Sequence, residues 1–344
     1  MTKLRIGIAG SVGHAEKFVN LINSYEESEV VVYCAQDAES IEIADRLGLD
    51  YESDFQAMLD KYDLNGVIIT VPNAHKRDMV IAAAKAGVSV FLEKPLATNS
   101  EDAQAMQKAV HEAGIKFYMS DPFIRPGILM LNRLIAAGEL GQIVSANVRH
   151  ANDRAFKEAP LPHIYVKKLS GGGIMADVGG HALHIIHYLF GQPASLCSSI
   201  FSYTEDAKAS GIEENASAIL RYPGGMTVTM ECSWVSAGGS SNHVIVYGTK
   251  GWAEVVDLPG KEGTQQLTLH KNDGTVTVYT SEDLPPMPTR HVRYFVEMMI
   301  HDLPNDIIGT VEESNCGVSI DNAVQLARII EAIYKAPDDR FVTL

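Results

Sequence analysis

Residues 4–119 alternate short, almost unbroken apolar runs with stretches of helical periodicity, and few folds accept that pattern. The runs are Leu4–Ala9, Val30–Cys34, Gly66–Val71, Val88–Leu92 and Ile115–Met119. Between them lie the periodic set Phe18, Val19, Leu21 and Ile22, a helix over Ala38–Leu47, one from Pro72-Asn73 to about Ala86, and one from Ser100 to Gly114. Strands that are apolar at every position need cover on both faces, and helices returning between parallel strands supply it. A doubly wound parallel sheet is expected over residues 1–121.

The texture changes near Ser120-Asp121-Pro122, so residues 122–344 are expected to form a second, α+β domain with a large, open, mostly antiparallel sheet. A helix over Ile128–Ala137 stops at Gly138 and leads to a strand at Ile143–Val148. Ala216–Arg221, the turn Pro223-Gly224-Gly225 and Met226–Cys232 read as a hairpin. Further strands are expected at His243–Tyr247, Ala253–Val256, Gln266–His270 and Thr275–Tyr279, and helices over His291–His301 and Asp321–Tyr334 close the chain. Helices cover one face of such a sheet and leave the other bare. Val228, Met230 and Ile245 would add apolar area, so a homodimer or homotetramer is expected.

Charge and cysteine content narrow the function classes. A formal net charge of −15 disfavours nucleic acid and anionic membrane surfaces, which need clustered Lys and Arg. Cys34, Cys197, Cys232 and Cys316 are widely spaced without a Cys-x-x-Cys pair, so reduced thiols and a cytoplasmic setting are expected. Met1-Thr2-Lys3-Leu4-Arg5 enters a strand at once, without the apolar core of a signal peptide, and no run is long enough to cross a bilayer. Small-molecule chemistry remains.

Three stretches carry chemistry. Gly10-Ser11-Val12-Gly13 follows the first strand and opens a helix, as a pyrophosphate-binding turn does, although Val12 stands where a second glycine would relieve crowding. Glu93-Lys94-Pro95 ends the Val88–Leu92 strand, placing Lys94 at a strand's carboxyl end, where open α/β sheets bind ligands. A cis Lys94-Pro95 bond is compatible with this sequence, and a surface lysine opening a helix is the plainer alternative. Gly171-Gly172-Gly173 feeds a helix on which Asp177, His181 and His184 would fall within about 60° at the α period, with His187 turned further round. A histidine oriented by a nearby acid is suited to general-base work. A polar stripe facing solvent is the alternative, against which stand the flanking Ile174, Leu183, Ile185, Ile186 and Leu189.

Those motifs resemble the glucose-fructose oxidoreductase / inositol dehydrogenase (Gfo/Idh/MocA) family of NAD(P)-dependent oxidoreductases. Glu93-Lys94-Pro95 matches its E-K-P, Val71-Pro72-Asn73 its T-P-N turn with Val for Thr, and Gly171 to His181 its G-G-G-x-x-x-D-x-G-x-H helix. The resemblance implies that Lys94 bonds the reacting hydroxyl, that Asp177 holds it or the base, and that His181 is the general base. It places the nucleotide along Gly10, Ser11, Val12 and Gly13, near Ala35 and Gln36, with Val71, Pro72, Asn73, Glu93 and Lys94 beside its ribose and nicotinamide. Departures are Val12, Ala35 for the usual ribose-binding acid, Lys76 where many members have His, and His184 where they often have Asp or Asn. NAD and NADP both remain open.

The expected activity is hydride transfer between NAD(P) and a secondary alcohol of a sugar, cyclitol or related polyol, with Lys94 and His181 as acid/base pair. Asn152, His163, Tyr165 and His184 are candidate substrate contacts. A non-catalytic nucleotide-binding sensor of the same fold is one alternative. Another is a metal-dependent hydrolase or lyase using Asp177, His181 and His184, with His150 or His163. No metal is expected for the leading reading.

Overall fold

The computed structural model describes residues 3–10, 15–34, 38–157, 163–258, 260, 263–286, 291–305, 317–336 and 342–343. In chain order the first elements are β1 (Leu4–Ala9), α1 (Ala15–Asn23), β2 (Ser28–Cys34), α2 (Ala38–Leu47), β3 (Asp50–Glu52), α3 (Phe55–Lys61), β4 (Gly66–Ile69), α4 (Asn73–Lys85), β5 (Ser89–Glu93), α5 (Ser100–Ala113) and β6 (Phe117–Ser120). There follow α6 (Pro126–Ala136), β7 (Ile143–Ala151), α7 (Arg154–Lys157), α8 (Lys167–Ser170), a π-helical turn at Met175–Gly179 and α9 (Gly180–Phe190). The remainder is β8 (Ser195–Phe201), α10 (Glu205–Ser210), β9 (Asn215–Arg221), β10 (Thr227–Ser233), β11 (Ser241–Gly248), β12 (Gly251–Asp257), β13 (Gln265–Lys271), β14 (Val276–Tyr279), α11 (His291–Ile300), α12 (Ile320–Lys335) and β15 (Val342–Thr343).

The first unit is the expected doubly wound sheet, six parallel strands in the order β3-β2-β1-β4-β5-β6. From β1 the chain builds outward through β2 to β3, then returns to lay β4 on the other side of β1. The carboxyl ends of β1 and β4 therefore flank the point where the winding reverses, the usual ligand crevice of such sheets. Edge strand β3 was not expected. Its Asp-Tyr-Glu has no apolar run because only one neighbour pairs with it. Local capping sets several helix starts: Asp54 accepts from Ala57 N ahead of α3, and Asn99 accepts from Asp102 N ahead of α5, which ends on left-handed Gly114 (φ 65°).

The domain boundary expected at 122–344 needs correction. Residues 291–305 and 317–327 pack with residues 1–121, and the division between the two compact units falls inside α12. The reason is aromatic: Phe91, fully buried in β5, meets Phe18 at 5.2 Å, Tyr118 at 5.7 Å and Phe295 of α11 at 5.8 Å between ring centres. Val292, Tyr294, Val296 and Met298 of α11 are buried in the same cluster. Each such side chain contributes roughly 1.5–3 kcal/mol when taken from water, enough to draw a distant helix onto this sheet.

The second unit is built on a nine-stranded sheet in the order β14-β13-β12-β11-β7-β10-β9-β8-β15, antiparallel throughout except where β10 runs parallel to β7. The Pro223–Gly225 turn does join β9 to β10, as expected. Alternation sends Ala146, Val148, Val228, Met230, Val244 and Val246 into the covered face. Ile245 lies on the other face with Ile219, Tyr247 and Phe201, the last three 42–50% exposed. The expected apolar contributors thus divide: Val228 and Met230 belong to the core, Ile245 to the open face. Polar pairs share that face, including Asn147 with Thr229 at 2.7 Å and Arg149 with Glu231 at 3.1 Å.

Candidate active site

In the first unit, the expected residues that lie among the described ones gather at strand carboxyl ends. Gly10 follows β1 with φ 96°, and a Cβ there would stand 2.6 Å from Val71 Cγ1 and 2.7 Å from the Thr70 carbonyl oxygen. Only glycine tolerates both the left-handed backbone and that approach. Its carbonyl accepts from Tyr33 Oη at 2.9 Å and Thr70 Oγ1 at 3.0 Å, while its N–H donates to the Cys34 carbonyl at 2.9 Å. These bonds tie the ends of β1, β2 and β4 together. Pro72 precedes α4 and Asn73 opens it. Ser11, Val12, Gly13, Ala35 and Gln36 lie outside the described residues.

Glu93 ends β5, and the Lys94-Pro95 peptide bond is cis. Beneath this turn lies Lys76, 1% exposed, whose Nζ donates to the Glu93 carbonyl at 2.6 Å and the Pro95 carbonyl at 2.7 Å. Burial lowers its ammonium to about 7, with the like charge of Lys94 adding to the fall and Glu93 opposing it. The sequence marked Lys76 only as a departure from a family position. A helical reading finds it on the inward stripe of α4 with Val80, Ala83 and Ala84, all buried.

In the second unit, Gly171 ends α8 in the left-handed region (φ 85°), and the two glycines after it allow close packing. A Cβ on Gly172 would meet Tyr334 Oη at 1.8 Å, and one on Gly173 would meet the Glu213 carbonyl oxygen at 1.9 Å. Glu213, 5% exposed, accepts from Gly173 N at 3.0 Å, Met175 N at 2.9 Å and Tyr334 Oη at 2.8 Å. Burial, then the Glu213 charge, holds the Tyr334 phenol well above its ordinary pKa, so it stays a donor. A buried carboxylate thus satisfies N–H groups at the start of the helix that carries Asp177 and His181.

The first turn of that helix is π, not α, so a stripe drawn on a uniform α period is out of phase with the structure. The Asp177 side chain, 19% exposed, stands 3.5 Å from Arg154 Nη1. His181 is 6% exposed, and its imidazole stacks on Phe123 with ring centres 4.0 Å apart at 27°. The Arg125 guanidinium lies 4.7 Å from the centre of the Phe123 ring and pairs with Asp257 at 3.2 Å. The ring against which the imidazole packs is thereby itself anchored. Phe123, Arg125 and Glu213 were not singled out from sequence, because nothing in their local pattern marks them.

The remaining candidates take varied places. Asn152 Oδ1 accepts from Arg154 N at 3.0 Å, and its backbone bonds Ser233 and Ser236, so it shapes the turn into α7. Tyr165 Oη donates to Glu214 at 3.4 Å, and burial followed by the Glu214 charge raises its pKa. His163 is half-buried, His184 is 1% exposed, and His187 is half-buried. His150 and His181 have ring centres 6.5 Å apart, with Phe123 against both. Among the described residues no three His, Cys, Asp or Glu side chains are grouped to hold a metal ion.

Residues 4–120 match the family model described as an oxidoreductase family with an NAD-binding Rossmann fold, and residues 128–254 match that of the GFO/IDH/MocA C-terminal domain. The chain belongs to the Gfo/Idh/MocA family. It is an NAD(P)-dependent oxidoreductase by that membership. It is 25% identical over 343 residues to a D-xylose 1-dehydrogenase (NADP(+)) of Haloferax volcanii, covering 97% of this chain and 98% of the relative. It is 29% identical over 270 residues to 2,7-anhydro-N-acetylneuraminate hydratase of Escherichia coli, covering 77% and 70%. In fold it is similar to an inositol dehydrogenase homolog of Azotobacter vinelandii complexed with NAD+, with TM-score 0.83, 19% identity and coverage of 100% and 98%.

The described residues of this Gfo/Idh/MocA chain fit a dinucleotide. Gly10 leaves β1 in a left-handed conformation that its packing enforces, at the strand end where the winding reverses, and α1 begins at Ala15. Among the described residues no helix is long and apolar enough to cross a membrane. Cys34, Cys197 and Cys232 are free, and Cys316 lies outside the described residues.

Proposed function

We propose that this chain passes a hydride between NAD(P) and a secondary alcohol of a sugar, cyclitol or related polyol. The observation that carries the reading is the buried His181 imidazole, fixed by its stack on Phe123 at 4.0 Å at the head of a helix that also bears Asp177. A nicotinamide nucleotide, held by the turn after Gly10 and by Pro72 and Asn73, would supply the acceptor for the hydride that leaves the alcohol carbon. His181 takes the hydroxyl proton as the C–H bond gives up its electron pair, and the oxygen becomes a carbonyl. The Lys94 ammonium stabilises the alkoxide character that develops on that oxygen, and Asp177, held by Arg154, orients the base or the hydroxyl. In reverse the same groups return the proton.

Reduction of NAD and NADP across a panel of sugars and cyclitols tests the reading. Lys94→Ala and His181→Ala should each lower kcat by about a hundredfold or more while nucleotide binding and folding persist. Near-normal kcat in either folded variant removes the role given to that residue. The hydratase relative favours a second reading, net addition or loss of water without net nucleotide turnover; product formation without any change in nicotinamide absorbance would select it. A nucleotide-binding sensor would show neither.

The same proposal includes a homodimer or homotetramer, supported by Ile219, Tyr247 and Phe201 on a sheet face that carries exposed apolar side chains. Sedimentation as a monomer at micromolar concentration would remove it. A cytoplasmic setting accords with the free cysteines.

A further inference from the structure

An ammonium 1% exposed and bonded to carbonyls needs a reason, because α4 would pack as well with an apolar side chain at that point of its inward stripe. The reason lies in what its two bonds span. The Glu93 carbonyl belongs to the peptide plane before Lys94, and the Pro95 carbonyl to the plane after Pro95, whose ring already limits φ. Nζ of Lys76 bonds both, at 2.6 and 2.7 Å. Clamping these two planes leaves the backbone at Lys94 little freedom, and so fixes the direction of its Cα–Cβ bond.

We propose that Lys76 is a positioning residue for Lys94, its Nζ holding the turn on both sides so that the second lysine presents its ammonium in one direction. The proposal rests on the catalytic reading of Lys94. An error of about 1 Å in the placement of a reacting group costs on the order of a hundredfold in rate, so loss of the clamp should act on turnover more than on binding.

Lys76→Met keeps length and apolar volume while removing both donors. It should lower kcat between about tenfold and a hundredfold, with the KM for nucleotide changed less than about threefold. Lys76→Met combined with Lys94→Ala should be no slower than Lys94→Ala alone, because the first change acts only through the second residue. Amide hydrogen exchange should quicken in residues 93–97 and not elsewhere in the first unit.

Retention of wild-type kcat and exchange by Lys76→Met overturns the proposal, and so does a double variant slower than Lys94→Ala by the full factor of the single change. If Lys94→Ala itself turns over normally, the catalytic reading of Lys94 fails, while the exchange measurement still decides whether Lys76 holds the turn. Should Lys76→Met not fold, Lys76→Gln, which keeps an amide donor on a shorter chain, takes its place with a partial loss of kcat and the same equality expected.

Discussion

The Lys94 turn and the His181 helix are braced in opposite electrical senses. In the first unit a buried cation, Lys76, gathers two carbonyl oxygens; in the second a buried anion, Glu213, gathers two backbone N–H groups and a phenol. Each brace uses the charge that complements the backbone groups left free by the local geometry, carbonyls at a strand end and N–H groups at a helix start. They differ in self-sufficiency. Lys76 is close in sequence to what it holds, whereas Glu213 reaches back 38–40 residues and forward 121.

That difference makes the Glu213 brace the more consequential to remove. Glu213→Ala strands Gly173 N, Met175 N and Tyr334 Oη in the interior, and should cost about 3–5 kcal/mol by urea denaturation. Tyr334→Phe removes one donor and should cost about 1 kcal/mol. Equal effects would mean that the carboxylate binds mainly the phenol.

Next come two closely packed glycines, Gly173 against the Glu213 backbone and Gly10 at the end of β1. Gly173→Ala drives a Cβ to 1.9 Å from the Glu213 carbonyl oxygen, a backbone atom that cannot swing aside, so a loss of about 1–3 kcal/mol or more is expected. Gly10→Ala meets the Val71 side chain at 2.6 Å and adds left-handed strain of about 1–2 kcal/mol. Thermal melts of the two variants rank them, and a neutral Gly173→Ala would show that the π turn has room to move.

The Lys76 brace also makes stability depend on pH. The Lys76 ammonium falls from an ordinary 10.5 to about 7 in the folded chain, so between these values the unfolded chain carries a proton that the folded chain does not. Stability therefore rises with pH across that window, and the penalty of burying the charge is fully present below about 7. Lys76→Met should flatten the rise relative to the wild-type chain in denaturation series at successive pH values. An unchanged slope would place the folded-state pKa near its ordinary value.

The smallest expected effect lies in nucleotide choice. Ala35 can neither bond a ribose 2′-hydroxyl nor repel a 2′-phosphate, and Gln36 offers only neutral bonds. Discrimination between NAD and NADP should stay under about tenfold, or 1.4 kcal/mol, and Ala35→Asp should move it toward NAD. Titration of both nucleotides decides this, and a preference of about a hundredfold would assign the selection to another residue.

Local pattern carried a good deal of this molecule. The apolar runs from Leu4 to Met119, the helices between them and the Pro223-Gly224-Gly225 hairpin were legible because period and turn chemistry act over a few residues. The Glu93-Lys94-Pro95 and Gly171–His181 motifs were visible in the same way, the first at the end of β5 and the second at the start of α9. Tertiary structure alone decided that α11 covers the first sheet, that a π turn rephases Asp177 against His181, that Phe123 seats the imidazole, and that Tyr334 and Glu213 explain Gly172 and Gly173 respectively. Those outcomes depend on contacts spanning dozens to hundreds of residues, where burial of aromatic area and satisfaction of buried polar groups override any preference a short window can express.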